Sequence, residues 1–318
     1  MESPHHDRSA GSAPRAGHHD HVHDHGAAAR HGRAFALGAA INLTFVLVQA
    51  GFGLAANSMA LLADAAHNFA DVLGLLLAWG AAWLALRPPT RRRTYGWGRS
   101  SILAALVNAM VLLIGVGAIG VEALRRLAAP EPVATLTVML VAAIGIVVNG
   151  GSALLFLRDR AQDLNIRTQF VHLAADALVS AGVVGAAAAI RVTGWLWLDP
   201  VASLAIVAAI VAGTWGVLRH AVDLAMDAVP AGVTRDAVQD WLAGLPGVVE
   251  VHDLHIWALS TTETALTAHL VHAGDTSDRR LHDLSAELAR RFGIGHVTLQ
   301  LESDADAALC RLRPNDVV

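Results

Sequence analysis

Two histidine–aspartate pairs repeat the same spacing inside strongly apolar stretches of the sequence. His67 precedes Asp71 by four residues, and His172 precedes Asp176 by four residues. On a helix this spacing brings the two side chains of each pair to one face, about 6 Å apart along the axis. Together the pairs supply two nitrogen and two oxygen ligands, a set that tetrahedral Zn²⁺ accepts. Ionisable groups in a membrane are costly, so they usually mark an ion or proton pathway.

The charges of these four residues suit the exchange of a metal ion for protons. Two carboxylates cancel the charge of a dication, which reduces the cost of holding it in an apolar layer. Without metal the same carboxylates are costly unless protonated, so protons and metal compete for the same atoms. A histidine titrates near neutral pH, which brings that competition into the physiological range. The alternative is that the pairs are polar contacts between helices.

Three further polar residues are candidates for supporting roles. Asp64 lies seven residues before Asp71, on roughly the same helix face. It serves ion access to the site, or it simply faces water at the outer mouth. Asn42 and Asn149 belong to other apolar segments, where they line the same path or make structural hydrogen bonds between helices.

The composition assigns most of the chain to a membrane. Of 318 residues, 54% are hydrophobic and only 16% are charged, whereas soluble domains carry roughly 25% charged residues. Apolar runs of about 20 residues are long enough to cross a bilayer, and long unalternated runs are typical of helices. Six predicted spans cover residues 34–55, 60–86, 102–124, 133–157, 168–190 and 195–218.

Basic residues predict the orientation of these spans. They concentrate before the first span and in the second and fourth loops, with Arg125 and Arg126 in the third loop as the exception. The positive-inside rule then predicts that both termini are cytoplasmic. The chain is predicted to be a multi-pass protein of a bacterial inner membrane. The basic residues are Arg30, Arg33, Arg87, Arg91, Arg92, Arg93, Arg99, Arg158, Arg160 and Arg167.

The first 33 residues are predicted to form a disordered, cytosolic, histidine-rich tail. They contain no apolar segment typical of a signal peptide. A histidine-rich tract can capture Zn²⁺ loosely near the entrance of a transport path. Its histidines are His5, His6, His18, His19, His21, His23, His25 and His31.

The predicted membrane region covers residues 34–219. Beyond it, the composition becomes that of a soluble domain. Helical and strand-like patterns follow in the order αββαβ, which predicts a small cytosolic α+β domain over residues 220–306, with a C-terminal tail over 307–318. The single cysteine, Cys310, excludes an intramolecular disulfide and a zinc cage built from cysteines.

Several motifs resemble those of the cation diffusion facilitator family, in its zinc-transporting branch. The resemblance extends from about residue 34 to residue 302. The matching segments are LLADAAHNFAD at 61–71, YGWGR at 95–99, DLNIR at 163–167, HLAAD at 172–176, WLDP at 197–200 and VHDLHIW at 251–257.

The resemblance implies a homodimeric secondary transporter rather than an enzyme. It would export Zn²⁺, with Cd²⁺ or Co²⁺ as further candidates, from the cytosol in exchange for protons by alternating access. The transport site would be His67, Asp71, His172 and Asp176, and the cytosolic domain would have a metallochaperone-like fold. Its partners would be a second copy of the chain, the lipid bilayer and metal ions, with no role for nucleic acid.

The resemblance also implies a second metal site in the cytosolic domain. His252, His269, His282 and Glu302 occupy positions that bind zinc at the dimer interface in similar proteins, and His255 is a nearby candidate. Gln300 stands where some relatives have a further histidine, so we expect a single or weaker site here. The alternative is that these are polar residues at strand ends.

The second loop differs from that of some relatives. It contains no histidine, and Trp97 stands where a ligand would be, so we predict no metal there. Arg99 is expected to pair with Asp227 and hold the soluble domain against the helices, or else to extend toward the membrane surface.

The sequence favours a carrier over three other functions. A passive channel would need several weak sites along its axis, whereas the ligands here lie at one depth. An intramembrane metalloprotease would need a His-Glu-x-x-His motif, and the sequence has none. A membrane-bound metal sensor would have no use for four ligands in the middle of the membrane.

Overall fold

The computed structural model describes residues 25–157, 164–273 and 278–313. The chain divides into a unit of residues up to Gly38 and a unit from Ala39 onward, and the packing described below belongs to the second. Within the described residues, six long helices come first, and a small α+β domain follows.

The long helices correspond to the six predicted spans. Five of them are long and apolar enough to cross a membrane, while the apolar stretch Ala40–Ala55 of the first is shorter. The helices are α1 (His25–Ala55), α2 (Met59–Ala85), α3 (Ser100–Ala128), α4 (Thr135–Phe156), α5 (Leu164–Thr193) and α6 (Leu198–Ala225).

The interior of the bundle is built mainly from small and β-branched residues. Ala60 and Ala63 of α2 pack in one cluster with Val116 of α3, Ala142 of α4 and Val183 of α5. Small side chains let the helix axes approach closely, which is how membrane helices associate without a strong hydrophobic driving force.

The outer surface of the bundle is apolar. Ile114, Val147 and Leu178 are 73%, 73% and 74% exposed in the isolated chain. Large exposed aliphatic side chains on several helices are typical of a surface that faces lipid. This is a multi-pass membrane protein.

The C-terminal domain contains a three-stranded sheet in the order β1-β2-β3. β1 runs antiparallel to β2, and β2 runs parallel to β3. This agrees with the predicted αββαβ order. The elements are α7 (Arg235–Ala243), β1 (Val248–Ala258), β2 (Thr264–His272), α8 (Asp278–Phe292), β3 (Ile294–Glu302) and the short α9 (Asp304–Ala307).

Both longer helices of this domain pack against one face of the sheet. Leu242 of α7 and Leu288 of α8 are fully buried against Ile256 of β1 and Leu266 and Leu270 of β2. Because side chains alternate along a strand, the intervening residues point to the opposite face. That opposite face carries the polar residues described below.

Candidate transport site and cytosolic metal site

The two predicted histidine–aspartate pairs meet between α2 and α5. His67 Nε2 lies 3.1 Å from Asp176 Oδ1 and 4.0 Å from Asp71 Oδ2. His172 Nε2 lies 3.4 Å from Asp71 Oδ2 and 3.6 Å from Asp176 Oδ2. Each nitrogen therefore faces a carboxylate of its own helix and one of the other helix. We call these four residues the quartet.

The quartet has a buried half and an open half. The side chains of Asp176 and His67 are 5% and 21% exposed, whereas those of Asp71 and His172 are 39% and 41% exposed. The open half borders a cavity of about 310 Å³. A small hydrated ion could therefore reach Asp71 and His172 first.

Asparagines from four helices line this cavity. Asn42 and Asn149, two of the three predicted supporting residues, are joined there by Asn68 of α2 and Asn108 of α3, for which the sequence predicts no role. The side-chain oxygen of Asn108 and nitrogen of Asn149 are buried without a hydrogen-bond partner in the described structure. Unpartnered polar atoms along an approach path can bind water or a passing ion.

The cavity extends from the quartet toward one end of the bundle. Gly74 and Leu75, which lie one turn beyond Asp71 on α2, belong to its lining. Asn108 comes early in α3, and the two helices are connected by the arginine-rich loop 86–99. The open side of the quartet therefore faces the end of the bundle that carries this loop.

A buried polar network closes the opposite side of the quartet. Asp64 is fully buried, and its Oδ2 accepts hydrogen bonds from Gln49 Nε2 at 2.7 Å and Ser180 Oγ at 3.0 Å. Asn68 donates to the side-chain oxygen of Gln49 at 3.1 Å. Asp64 does not face water, which excludes one of its two predicted roles. The network instead joins α1, α2 and α5 beyond the quartet.

A second buried carboxylate lies near the same end of the bundle. Asp199, at the start of α6, accepts hydrogen bonds from Ser58 Oγ at 2.5 Å and from the backbone N–H of Met59 at 2.6 Å. These donors are at the first turn of α2, where backbone N–H groups have no helical partner and the helix dipole favours negative charge. Asp199 therefore anchors the helix that carries His67 and Asp71.

The quartet can hold either protons or one dication. The 3.1 Å separation of His67 Nε2 and Asp176 Oδ1 is a hydrogen-bond distance, so the two atoms can share a proton. A Zn²⁺ ion would replace such protons with bonds to the same nitrogen and oxygen atoms. Two carboxylates against a double positive charge leave the metal-bound site neutral.

The cytosolic domain has a second group of metal-ligand residues, which depends on a β-bulge. His252 pairs with His269, but the next pair is His255 with Thr267, so β1 has one extra residue there. The extra residue is Asp253, whose φ of 49° is rare for a non-glycine residue. Without this bulge, strict alternation would turn His252 to the side of the core residue Leu254. The bulge instead places it on the face of His269.

Glu302 reaches the same face from β3. The register pairs Val271 with Glu302, two residues beyond His269 on β2. His252 Nε2 lies 3.3 Å from Glu302 Oε2, and His269 Nδ1 lies 3.0 Å from Glu302 Oε1. One carboxylate thus faces a nitrogen from each histidine.

Buried atoms in this group lack hydrogen bonds. His252 is 2% exposed and Glu302 is 6% exposed. Both ring nitrogens of His252 and Oε2 of Glu302 have no hydrogen-bond partner in the described structure. Leaving such atoms unpartnered typically costs about 1–3 kcal/mol each. A metal ion would satisfy them, so the residues present fit one.

Neighbouring polar groups orient these ligands. Asp253 Oδ2 lies 3.5 Å from His269 Nε2, the nitrogen opposite the one that faces Glu302. Gln300 Nε2 donates to Glu302 Oε1 at 2.8 Å, so it contacts the carboxylate and need not bind metal itself. Carboxylate and amide partners of this kind fix the orientation of metal ligands.

The structure does not bring all the predicted cytosolic ligands together. His282 is exposed on α8, and His255 contacts Asp253 at 2.8 Å at the edge of the group. Among the described residues, the ligand atoms that lie within 4.8 Å of one another belong to His252, His269, Glu302 and Cys310. Cys310 is not among the ligands that the sequence predicts, because a single cysteine cannot form a zinc cage built from cysteines.

The histidines of the N-terminal tail fall outside this description. His18, His19, His21 and His23 lie outside the described residues. His25 is the first residue of α1, and its side chain is not described. Metal capture by the tail stays a prediction.

Comparison with known proteins establishes the family. Residues 36–224 match the model of the cation efflux transmembrane domain, and residues 230–304 match that of the cation efflux protein cytoplasmic domain. The chain belongs to the cation efflux family. The family predicted from the motifs is thereby confirmed, and this cation efflux protein is a metal-cation transporter.

Relatives of this cation efflux protein match it along most of their length. It is 35% identical over 295 residues to the cation efflux system protein CzcD of Alcaligenes sp. strain CT14, covering 91% of this chain and 92% of that protein. It is 32% identical over 277 residues to the cadmium, cobalt and zinc/H(+)-K(+) antiporter of Bacillus subtilis. That match covers 84% of this chain and 89% of the antiporter. It is 31% identical over 287 residues to the zinc transporter ZitB of Escherichia coli. That match covers 89% of this chain and 91% of ZitB.

In this cation efflux protein, the loop before α3 contacts the cytoplasmic domain. The Tyr95 and His296 rings meet edge to face with their centroids 5.4 Å apart. The Thr261 backbone N–H donates to Ser101 Oγ at 3.0 Å. These two contacts join the beginning of α3 to the C-terminal domain.

Arg99 and Asp227 form the expected ion pair at this junction. Arg99 Nη2 lies 2.5 Å from Asp227 Oδ1, and both side chains are about half exposed. A pair this exposed typically contributes less than about 1 kcal/mol. Asp227 follows α6 with a φ of 59°, in the left-handed region. The pair connects the beginning of α3 to the turn by which α6 enters the cytoplasmic domain.

Gly98 provides a direct test of this junction. A Cβ at Gly98 would lie 2.9 Å from the backbone oxygen of Leu259, closer than real Cβ contacts. Gly98→Ala should therefore separate the loop from the β1–β2 turn, at a cost of about 1–3 kcal/mol. We expect faster deuterium exchange at residues 259–263 and 95–101, measured by mass spectrometry on the full-length protein.

Gly295→Ala is the matched control, because a Cβ at Gly295 meets no atom within 4 Å. Equal exchange in the two variants would mean that the loop and the turn do not depend on each other.

Proposed function

We propose that this cation efflux protein exports Zn²⁺ from the cytosol in exchange for protons, by alternating access at His67, Asp71, His172 and Asp176. The observation that carries the proposal is the convergence of four metal-ligand side chains at the closed end of a cavity that is open on one side. Cd²⁺ and Co²⁺ are further candidate substrates, because they accept the same ligand atoms. The relatives named for zinc, cadmium, cobalt and proton antiport support this substrate class.

The positive-inside rule supports the direction of transport. The arginine-rich loop 86–99 is assigned to the cytoplasm, together with both termini. The cavity beside the quartet reaches toward that loop, so this conformation would be the one open to the cytosol. The buried Gln49–Asp64–Ser180 network would then be the barrier toward the outside.

The proposed cycle exchanges ligands at fixed atoms. Zn²⁺ from the cytosol contacts Asp71 and His172 in the cavity and then engages His67 and Asp176, displacing at least one proton. The helices rearrange so that the barrier containing Asp64 opens and the cavity closes. Protons from outside then reclaim the histidine and aspartate atoms, and the metal leaves.

The cytosolic domain would regulate this cycle. His252, His269 and Glu302 would bind one Zn²⁺ and stabilise a homodimer in the inner membrane of a bacterium. The match of residues 230–304 to the cation efflux cytoplasmic domain supports this assignment. Metal binding there would favour whichever conformation binds it better.

The test is zinc flux in proteoliposomes that contain the full-length protein and an internal zinc-sensitive dye. We expect saturable zinc movement that is accompanied by proton movement in the opposite direction and is driven by an imposed pH gradient. Zinc flux with no counter-movement of protons would indicate a channel, and no flux would indicate a sensor. His252→Ala should lower the rate or shift its zinc dependence without abolishing transport.

A further inference from the structure

A cavity of about 590 Å³ lies where the arginine-rich loop 86–99 connects α2 to α3. We propose that it binds one anionic phospholipid, with the headgroup phosphate at the arginines and the acyl chains along the apolar ends of the two helices. The inference does not depend on metal binding at either site. The residues of the lining that carry it are Leu84, Arg92, Arg93, Trp97, Arg99 and Leu103.

The loop has positive charge that the protein itself leaves uncompensated. All the charged residues between positions 86 and 99 are arginines. Arg99 pairs with Asp227, but no carboxylate of the described residues forms an ion pair with Arg92 or Arg93. Both of these arginines are exposed and line the cavity. A phosphate group would supply the opposite charge, and guanidinium groups bind phosphate oxygens through two parallel N–H bonds.

Aromatic rings, rather than carboxylates, position two of the arginines. The Arg93 guanidinium lies 3.9 Å from the centre of the Trp97 ring, and that of Arg87 lies 4.0 Å from the centre of the Trp83 ring. Stacking on a ring occupies one face of the planar guanidinium and leaves the N–H groups around its edge free. These cations are therefore held in place while keeping their donors for an anion.

Backbone hydrogen bonds fix the shape of the loop that presents the arginines. Thr90 and Arg93 exchange two backbone hydrogen bonds of 3.0 Å each, and Thr90 Oγ1 accepts a third from the Arg93 N–H at 3.1 Å. The Gly96 N–H donates to the Arg93 carbonyl at 3.0 Å, with Gly96 at a φ of 68° that glycine adopts without strain. A built turn of this kind differs from side chains that simply extend toward the membrane surface.

The apolar part of the lining favours a lipid over a free phosphate ion. Leu84 is in the last turn of α2, and Leu103, which is exposed, is in the first turn of α3. Trp79 and Trp83 of α2 are also exposed, as in the aromatic belts at membrane surfaces. An occupant with its charge at the arginines could thus extend an apolar tail along the helix ends. Basic pockets between the cytoplasmic ends of membrane helices are typical sites for anionic headgroups.

The occupant would also lie at the junction with the cytoplasmic domain. Leu259 of the β1–β2 turn belongs to the lining of the cavity. Arg99, in the same lining, pairs with Asp227 just after α6. A bound headgroup would therefore hold the loop at the point where it meets the soluble domain.

Native mass spectrometry of the delipidated, full-length protein in a neutral detergent tests the proposal. Phosphatidylglycerol and phosphatidylcholine with the same acyl chains are titrated separately. We expect one phosphatidylglycerol per protomer to bind at least about 10-fold more tightly than phosphatidylcholine. An excess of inorganic phosphate should leave the lipid bound. Displacement by inorganic phosphate would mean that the cavity takes a free anion, which would overturn the lipid assignment.

Paired substitutions separate a built site from general attraction by charge. Arg92→Gln with Arg93→Gln should weaken phosphatidylglycerol binding roughly 10- to 30-fold, the factor expected for two basic residues near an anionic headgroup. Arg92→Lys with Arg93→Lys should also weaken it, because an ammonium group lacks the planar fork that binds phosphate bidentately. Arg290→Gln with Arg291→Gln is the matched control, since it removes the same charge from exposed side chains of α8, and should leave binding unchanged.

Bound phosphatidylglycerol should also slow deuterium exchange in residues 86–99, and unchanged exchange there would place the lipid elsewhere. Three further results would each overturn the proposal: equal affinity for the two lipids, wild-type affinity in the lysine pair, or an equal loss in the control pair. None of these measurements involves zinc, so a failure would concern this cavity alone and leave the transport proposal unaffected.

Discussion

Asp176→Ala is expected to abolish metal transport. The Asp176 carboxylate contacts both histidines of the quartet, at 3.1 and 3.6 Å, and is the most buried of the four side chains. Its removal leaves one carboxylate against a dication in a poorly hydrated site, so a bound metal would retain a net positive charge there. The loss of affinity should exceed the roughly 10- to 100-fold that orienting partners alone cost.

The measurement is the initial rate of zinc flux in proteoliposomes under an imposed pH gradient. Asp283→Ala is a matched control, because it also removes one carboxylate, but from the exposed surface of α8. Both variants should give the same oligomeric state by size-exclusion chromatography. A normal rate in Asp176→Ala would remove the quartet from the transport path.

Asp199→Ala should produce the largest loss of stability. Its carboxylate is 3% exposed and accepts from Ser58 Oγ and the Met59 N–H at the first turn of α2. Alanine leaves these two buried donors without a partner, at about 1–3 kcal/mol each. It also removes a negative charge from the positive end of the helix dipole. The expected result is a clearly lower unfolding temperature and less folded protein.

Asp199→Asn keeps one acceptor oxygen and should lie between the wild type and Asp199→Ala. The control is Asp223→Ala, which removes an exposed carboxylate near the opposite end of the same helix. Tryptophan fluorescence during thermal unfolding in detergent measures all three variants. If Asp199→Ala and Asp223→Ala unfold at the same temperature, Asp199 does not anchor α2.

The helical repeat explains why each histidine–aspartate pair could be predicted to share one helix face. A spacing of four residues on a helix fixes the common face of His67 and Asp71, and of His172 and Asp176, whatever the surroundings. Apolar length then identified the helices that carry them. The αββαβ order of the soluble domain follows from the same kind of local pattern. These features depend on residues within a few turns of each other.

Other features depend on contacts between distant residues. Ser180 joins Asp64 across 116 positions of sequence, and Cys310 approaches His269 across 41. No local period relates such residues, so neither the hydrogen bond of Ser180 to Asp64 nor the approach of Cys310 to His269 follows from sequence patterns. Asp64 was predicted as a supporting residue, but only its neighbours show that it is buried and hydrogen-bonded.

The sequence by itself determined which helices carry the two histidine–aspartate pairs and that a small α+β domain follows them, because periodicity and hydrophobic length are local properties. Tertiary structure alone decided which cytosolic residues meet. The bulge at Asp253 changes the face of the sheet to which His252 belongs, and a shift of one residue in strand alternation is not visible in composition. His282, predicted from the same motif set, lies apart on α8 because its helix packs on the other face of the sheet.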